Sequence, residues 1–230
     1  MLRVIDLIIE YADGTRAVNS ARFSIEAGEN VALIGANGAG KTSLLLALVG
    51  VLTPKSGEVY AGDTVLNKKN LREVRSKIGL VFQNPDDQLF MTSIYEDIAF
   101  GPRSYGCDEA ETAERVSSVA EMLGIGHLTG RSPLKLSSGE KRLAAIGTVL
   151  AMSPDFLLFD EPTAFLDPRA RRNLIDVLAG LRQGKLIATH DLEFASRICS
   201  RVLLLKNGAM EADGGTELLV DKLRLEAAGL

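Results

Sequence analysis

Two cysteines, Cys107 and Cys199, stand far apart with no CxxC spacing, so two reduced thiols are expected rather than a disulfide framework or a zinc site. No run of five or more Lys and Arg occurs, and the formal net charge is −4. A broad phosphate-backbone footprint is therefore not expected, and nucleic acid is a poor candidate partner. Long apolar runs are also missing. The longest, from Leu44 to Leu52, would reach about 14 Å as a helix against about 30 Å of bilayer hydrocarbon, too short to cross a membrane. The opening MLRVIDLIIE carries Asp6 and Glu10 within its apolar run and has no small-residue cleavage site, so no signal peptide is read there and the expected location is inside the cell. Repeats, low-complexity tracts and long linkers are absent.

Within 230 residues, 46% are apolar and 24% charged, which excludes disordered, collagen-like and fibrous classes and leaves one large domain or two small ones. β-branched runs alternate with helical patterns, the signature of an α/β fold. VIDLIIEY, ARFSIEA and NVALIG read as strands, followed by a helix from about Lys41 to Val49 ended by Gly50 and Pro54. GEVYAGDTVL and KIGLVFQ complete the strands of the first third. DFLLFDEP, KLIATH and RVLLLKNG read as strands covered on both faces. From about Asn84 to Met152 no strand is expected. There Asp108 and Glu111 make a capping box ahead of Val116, Val119, Ala120 and Leu123 at helical spacing, with Glu109, Glu111 and Glu114 on the solvated face. A second helix should start near Ser138. The expectation is one domain over 1–230, its core formed by 1–83 and 153–230, with a helical subdomain at about 84–152.

The sharpest motif is GANGAGKT, a complete GxxxxGK[ST] between a strand and a helix. Gly35, Gly38 and Gly40 let backbone N–H groups turn inward around phosphate oxygens, and the helix start adds its positive dipole end. Asn37 and Ser43 share the loop. Lys41 would reach the β- and γ-phosphates and the Thr42 hydroxyl would ligate Mg²⁺. FLLFDEP ends an apolar strand with Asp160, suited to hold Mg²⁺, and Glu161, suited to accept a proton from or orient an attacking water. An isolated acidic pair after a strand is usually a turn or cap; a phosphate loop in the same chain favours catalysis. In LSSGE, Ser137, Ser138 and Gly139 precede a helix, where such residues cap the helix or bind an anion.

With these motifs in this order the chain resembles the nucleotide-binding ATPase subunit of ATP-binding-cassette transporters over essentially its whole length. The resemblance implies a P-loop ATPase core with an N-terminal antiparallel β subdomain and a helical insertion, acting on ATP with Mg²⁺. It identifies GANGAGKT as the Walker A loop, Gln83 as the Q-loop residue, LSSGE as the signature, FLLFDEP as Walker B, Phe165-Leu166-Asp167 as the D-loop and His190 as the switch histidine. By the same resemblance Gln83 would contact Mg²⁺ or the attacking water, His190 the γ-phosphate, and Tyr11 the adenine. Read alone, His190 could equally be a hydrogen-bonded strand-end histidine, and Tyr11 a half-exposed strand-end tyrosine. Ser138 and Glu140 replace the usual glycine and glutamine of the signature, and Phe165 replaces a small D-loop residue.

VFQNPDDQLFMTSIYEDIAFGP is similar in particular to the ATPases of energy-coupling-factor and cobalt-type importers, through Gln83, Asn84, Pro85, Asp86, Gln88, Glu96, Asp97, Ala99, Phe100, Gly101 and Pro102. That likeness implies a transmembrane coupling subunit, a membrane substrate-binding subunit and a second cassette as partners, a peripheral site at the cytoplasmic face of the membrane, and import of a transition-metal ion, cobalt or nickel, or a vitamin. Leu89, Phe90 and Met91 are expected either to grip a partner helix or to form buried core. The competing functions are a lipid or lipoprotein exporter ATPase and a soluble cassette acting on ribosome or DNA. The chain lacks the second fused cassette, long charged linker or coiled-coil insertion common in the latter.

Overall fold

β1 (Leu2–Glu10) buries Leu2 and Val4, then Leu7 and Ile9. The parity of its buried positions switches where the ladder shifts register between Val4 and Leu7, at Asp6 with φ +46°. This keeps both halves of one strand facing the same core. β1 pairs antiparallel with β2 (Arg16–Ile25) and β4 (Ser56–Ala61), and β5 (Thr64–Val65) completes a four-stranded sheet in the order β2-β1-β4-β5.

The computed structural model describes residues 1–230, in two compact units. The first comprises 1–80, 155–161 and 182–230; the second 81–154 and 162–181. Pro162–Leu181 thus goes with the helical segment rather than with the core to which the sequence reading assigned it.

Central to the first unit are β3 (Asn30–Ile34), β7 (Phe156–Asp160) and β8 (Gly184–Thr189), which are buried almost throughout. They run parallel beside β9 (Arg201–Lys206), whose antiparallel hairpin partner is β10 (Ala209–Gly215). With β6 (Ile78–Val81) the sheet order is β10-β9-β3-β8-β7-β6. Nearly continuous apolar sequence is what strands covered on both faces require. α1 (Lys41–Leu48), α2 (Leu71–Lys77), α7 (Leu192–Ile198) and α8 (Lys222–Ala227) belong to this unit. Both cysteines are free, and burial pushes the Cys199 thiol up to about 12, which suits a packing role.

The second unit holds α3 (Ile94–Ser104), α4 (Glu109–Met122), α5 (Ser138–Leu150) and α6 (Pro168–Gly180). Each start is fixed by a side chain accepting from an early backbone N–H: Ser93, Asp108, Ser137 and Asp167 in turn. No strand lies between Asn84 and Met152. No helix is long and apolar enough to cross a membrane.

Phe159, on β7, is fully buried. Phe159→Ala should lower stability by about 3–5 kcal/mol through lost burial and the cavity left behind. Urea unfolding followed by circular dichroism measures this; an unchanged midpoint would contradict the packing described.

Candidate functional site

The parallel register sets the site in the first unit. Ile34 at the end of β3 aligns with Thr189 at the end of β8, and Asp160 at the end of β7 aligns with Ala188. Three strand ends therefore deliver Gly35, Glu161 and His190 to one sheet edge, the carboxyl edge at which open α/β sheets bind ligands.

The turn leaving β3 needs glycine for contact as well as conformation. A Cβ on Gly35 would stand 2.4 Å from Leu205 O, and one on Gly40 would stand 2.1 Å from Ala17 O, with Gly40 at φ +106°. Gly38 is also left-handed, and Asn37 is exposed beside it. Gly40 then starts α1, whose first turn holds Lys41, Thr42 and Ser43. Lys41 is 6% exposed, and its Nζ donates to Gly35 O at 2.6 Å and to Ala36 O at 3.3 Å. The ammonium thus lies over the loop it would help to charge. Tyr11 follows β1; its hydroxyl is 2.7 Å from Ser43 Oγ while the residue is 43% exposed, so its polar end is tied to the helix start and part of its surface is open to a flat ligand.

Thr42 Oγ1 donates to Asp160 Oδ2 at 2.8 Å. A hydroxyl beside a carboxylate is a hard oxygen donor set, which fits Mg²⁺ completed by phosphate oxygens and water. No group of three or more His, Cys, Asp or Glu side chains forms a self-sufficient metal cage.

Glu161 is 7% exposed and sits at φ +43°, in the left-handed region, with its N–H donating to Ala188 O at 2.8 Å. Its Oε2 accepts from Thr189 Oγ1 at 3.1 Å and from His190 N at 3.3 Å, and lies 3.0 Å from His190 Nδ1. Oε1 has no hydrogen-bond donor and lies 3.6 Å from Lys41 Nζ. One carboxylate oxygen is thus fixed by the end of β8, and the other is able to accept from a reacting water. Thr189 was missed by the sequence reading; its signal is its place at a strand end, immediately before His190.

The second unit carries Gln83, Ser137, Gly139 and Asp167. Gln83 is exposed. Ser137 caps α5 in a reciprocal capping box with Glu140, whose Oε2 accepts from Ser137 N at 2.8 Å and Ser137 Oγ at 2.7 Å. These bonds hold the Glu140 carboxyl below its ordinary value, helped by Arg131 and His127. A Cβ on Gly139 would meet Ala170 Cβ at 2.8 Å, so this glycine also permits the close approach of α6. Asp167 Oδ1 accepts from Arg169 N and Ala170 N, which caps α6 and lowers the Asp167 pKa. Ser137, Gly139, Glu140, Asp167 and Asn173 line a cavity of about 630 Å³ within this unit.

Leu89, Phe90 and Met91 do not act alike. Leu89 is buried, Met91 half-buried, and Phe90 63% exposed, with its ring edge-on to the half-exposed Phe100 at 5.2 Å between centroids. Leu89 thus follows the buried-core alternative, and Phe90, with Phe100 beside it, is the large apolar side chain left exposed. Beneath them the buried Asp97 Oδ1 accepts from Phe90 N and Met91 N at 2.9 and 3.0 Å.

Fold and loop together define a P-loop nucleoside triphosphatase. A family model described as ABC transporter matches residues 18–164. An ABC transporter ATP-binding protein of Geobacter sulfurreducens is 48% identical over 216 residues, covering 94% of this chain and 87% of that protein. The energy-coupling factor transporter ATP-binding protein of Methanothermobacter thermautotrophicus is 44% identical over 219 residues, 93% of this chain and 70% of that one. Among solved structures, that of a Clostridium perfringens cassette, described as part of the ABC transporter complex cbiONQ, superposes with TM-score 0.86 at 35% identity, covering 99% of this chain and 96% of that one. A dimeric cassette in a post-hydrolysis state bound to ADP and Pi superposes with TM-score 0.83 at 25% identity, covering 94% and 99%. The chain belongs to the ABC transporter ATP-binding family and is an ATPase of that family.

Lys41→Ala should weaken ATP binding about tenfold or more, because a charge-assisted contact is worth about 1.5–3 kcal/mol. Calorimetric titration with ATP tests it, and an unchanged affinity would remove Lys41 from the phosphate site.

Proposed function

We propose that this chain is the ATP-hydrolysing subunit of a membrane importer of the energy-coupling-factor or cobalt type, energising uptake of a transition-metal ion, cobalt or nickel, or a vitamin. The observation that carries this reading is the exposed Phe90–Phe100 edge-to-face pair, held from below by Asp97, within the segment most similar to such ATPases. The energy-coupling-factor and cbiONQ relatives support it. Its partners are a transmembrane coupling subunit, a membrane substrate-binding subunit and a second cassette, and its working place is the cytoplasmic face of the membrane.

In hydrolysis, Gly35 to Ser43 cradle the phosphates with backbone N–H groups and Lys41 neutralises them. Tyr11 stacks on the adenine. Thr42 and Asp160 would hold Mg²⁺, which would supply charge neutralisation, and Gln83 is assigned through the family resemblance alone to that ion or to the attacking water. Glu161, with one oxygen fixed by Thr189 and the backbone of His190, orients the attacking water through Oε1, while His190 reaches the γ-phosphate. Ser137 and Gly139 serve the nucleotide of the second cassette, and Asp167 lies along that interface.

Glu161→Gln keeps the shape and removes the base, so it should bind ATP, turn over at least about a hundredfold more slowly and dimerise when saturated with ATP. Steady-state phosphate release and light scattering measure the two effects. Wild-type turnover would sink the role of Glu161; a monomer even with its natural partners and excess ATP would sink the shared site.

Phe90→Ala with Phe100→Ala should release the folded ATPase from its membrane subunits, each anchor being worth about 2 kcal/mol when truncated at a hot spot. Affinity capture of the detergent-solubilised assembly tests this. Full assembly with normal uptake would put the docking surface elsewhere.

A further inference from the structure

Arg142 is 1% exposed on the second turn of α5. Its Nη1 donates to Phe82 O at 2.7 Å and its Nη2 to Gln83 O at 2.6 Å. The Phe82 carbonyl belongs to the peptide plane before the Gln83 Cα, and the Gln83 carbonyl to the plane after it. Because peptide units are rigid, fixing both planes fixes the two backbone dihedrals of Gln83, and with them the direction in which its side chain leaves the backbone.

The same segment is fastened to α5 at three further points. Lys141 Nζ donates to Asp86 Oδ1 at 2.6 Å. Gln88 Nε2 donates to Ala145 O and to Thr148 Oγ1, both at 2.8 Å, while Gln88 Oε1 accepts from Phe82 N at 3.1 Å. Residues 141, 145 and 148 share one helix face, so 82–88 is laid along α5 as a strap. Of these fastenings only Arg142 acts on the backbone of Gln83 itself. A buried guanidinium is a costly way to fill space compared with an apolar side chain of similar volume. Its two carbonyl contacts point to geometry as its purpose.

We propose that Arg142 is a positioning residue for hydrolysis: it aims Gln83 and makes that aim move with the helix that begins at Ser137. The proposal rests on the reading of Gln83 given above. A rotation or shift of α5 carries the Gln83 backbone with it, so events at the Ser137 end of the helix are transmitted to Gln83 without any contact of Arg142 with nucleotide. The phosphate loop, Gly35 to Ser43, lies outside this network, so substrate affinity should be spared while turnover falls.

The test is a double-mutant cycle on the purified full chain with saturating Mg-ATP, combined with amide hydrogen exchange. Arg142→Gln should lower kcat about tenfold or more and leave the KM for ATP within about twofold. Arg142→Lys, which keeps the charge but has a single donor nitrogen in place of the two that reach the Phe82 and Gln83 carbonyls, should recover part of the loss. In the Gln83→Ala background the Arg142 substitution should slow turnover no further, because the group it positions is gone. Amides 82–88 should exchange faster in Arg142→Gln, with those of 143–150 unchanged. If Gln83→Ala turns over normally, the reading of Gln83 fails and Arg142 has nothing to position. If Gln83→Ala is slow and the two effects multiply, the reading of Gln83 survives and the role of Arg142 is overturned. Faster exchange throughout α5 would likewise reduce Arg142 to a stability role. Should Arg142→Gln fail to fold, the cycle and the exchange measurement run with Arg142→Lys, judged by the same outcomes.

Discussion

The parallel register of β3, β7 and β8 is the constraint on which the site of the first unit depends. Ile34 beside Thr189 and Asp160 beside Ala188 bring a phosphate loop, a carboxylate pair and a histidine to one edge from three distant stretches of sequence. A slip of one strand by one residue would reverse its faces and carry Asp160 or Thr189 away from Thr42 or Glu161. Leu33, Phe159 and Ile187, all fully buried, resist that slip through the close packing it would disrupt. Core packing and site geometry are therefore the same fact seen from two sides of the sheet.

α5 organises the second unit in a comparable way, through hydrogen bonds to its flanks. At its start Glu140 takes both the N–H and the hydroxyl of Ser137, and Gly139 leaves room for Ala170 of α6. The unusual Glu140 has a clear local consequence: its Oε2 accepts both bonds, and as a charged carboxylate it makes them stronger than the neutral amide oxygen of a glutamine would. Ser137 is firmly seated, and its hydroxyl proton is directed to Glu140. For that hydroxyl to donate to a phosphate, as proposed, the Ser137 to Glu140 bond must open.

Motifs in which chemistry dictates residue type at fixed spacing were legible in the sequence. GANGAGKT and FLLFDEP meet at the Thr42 to Asp160 bond, and buried strands announced themselves by unbroken apolar runs. Residues whose work depends on distant partners were not legible. Leu89, Phe90 and Met91 look alike as apolar letters; only the turn after Pro85 and the bonds to Asp97 turn Leu89 inward and leave Phe90 outside. Phe100 lies ten residues farther on and meets Phe90 through tertiary packing. α3 was obscured by Gly101 and Pro102, and α6 buries only Leu174 and Leu178, too weak a stripe to stand out. Arg142 in the run EKR reads as surface charge until its two carbonyl partners are seen.

Glu161 shows what such a site costs its own fold. A non-glycine residue in the left-handed region is strained by about 1–3 kcal/mol, and a buried carboxylate oxygen without a donor adds a penalty of similar size. Neither would persist unless its surroundings over-determined it. The N–H of Glu161 is tied to Ala188 O, and Oε2 is tied to Thr189 and to the backbone of His190, so the end of β8 holds both backbone and side chain. Relaxing the strain would break bonds to a strand buried on both faces. The oxygen without a hydrogen-bond donor is therefore retained at a defined point beside Lys41, and rigidity of the parallel sheet becomes the means by which this strained geometry is held.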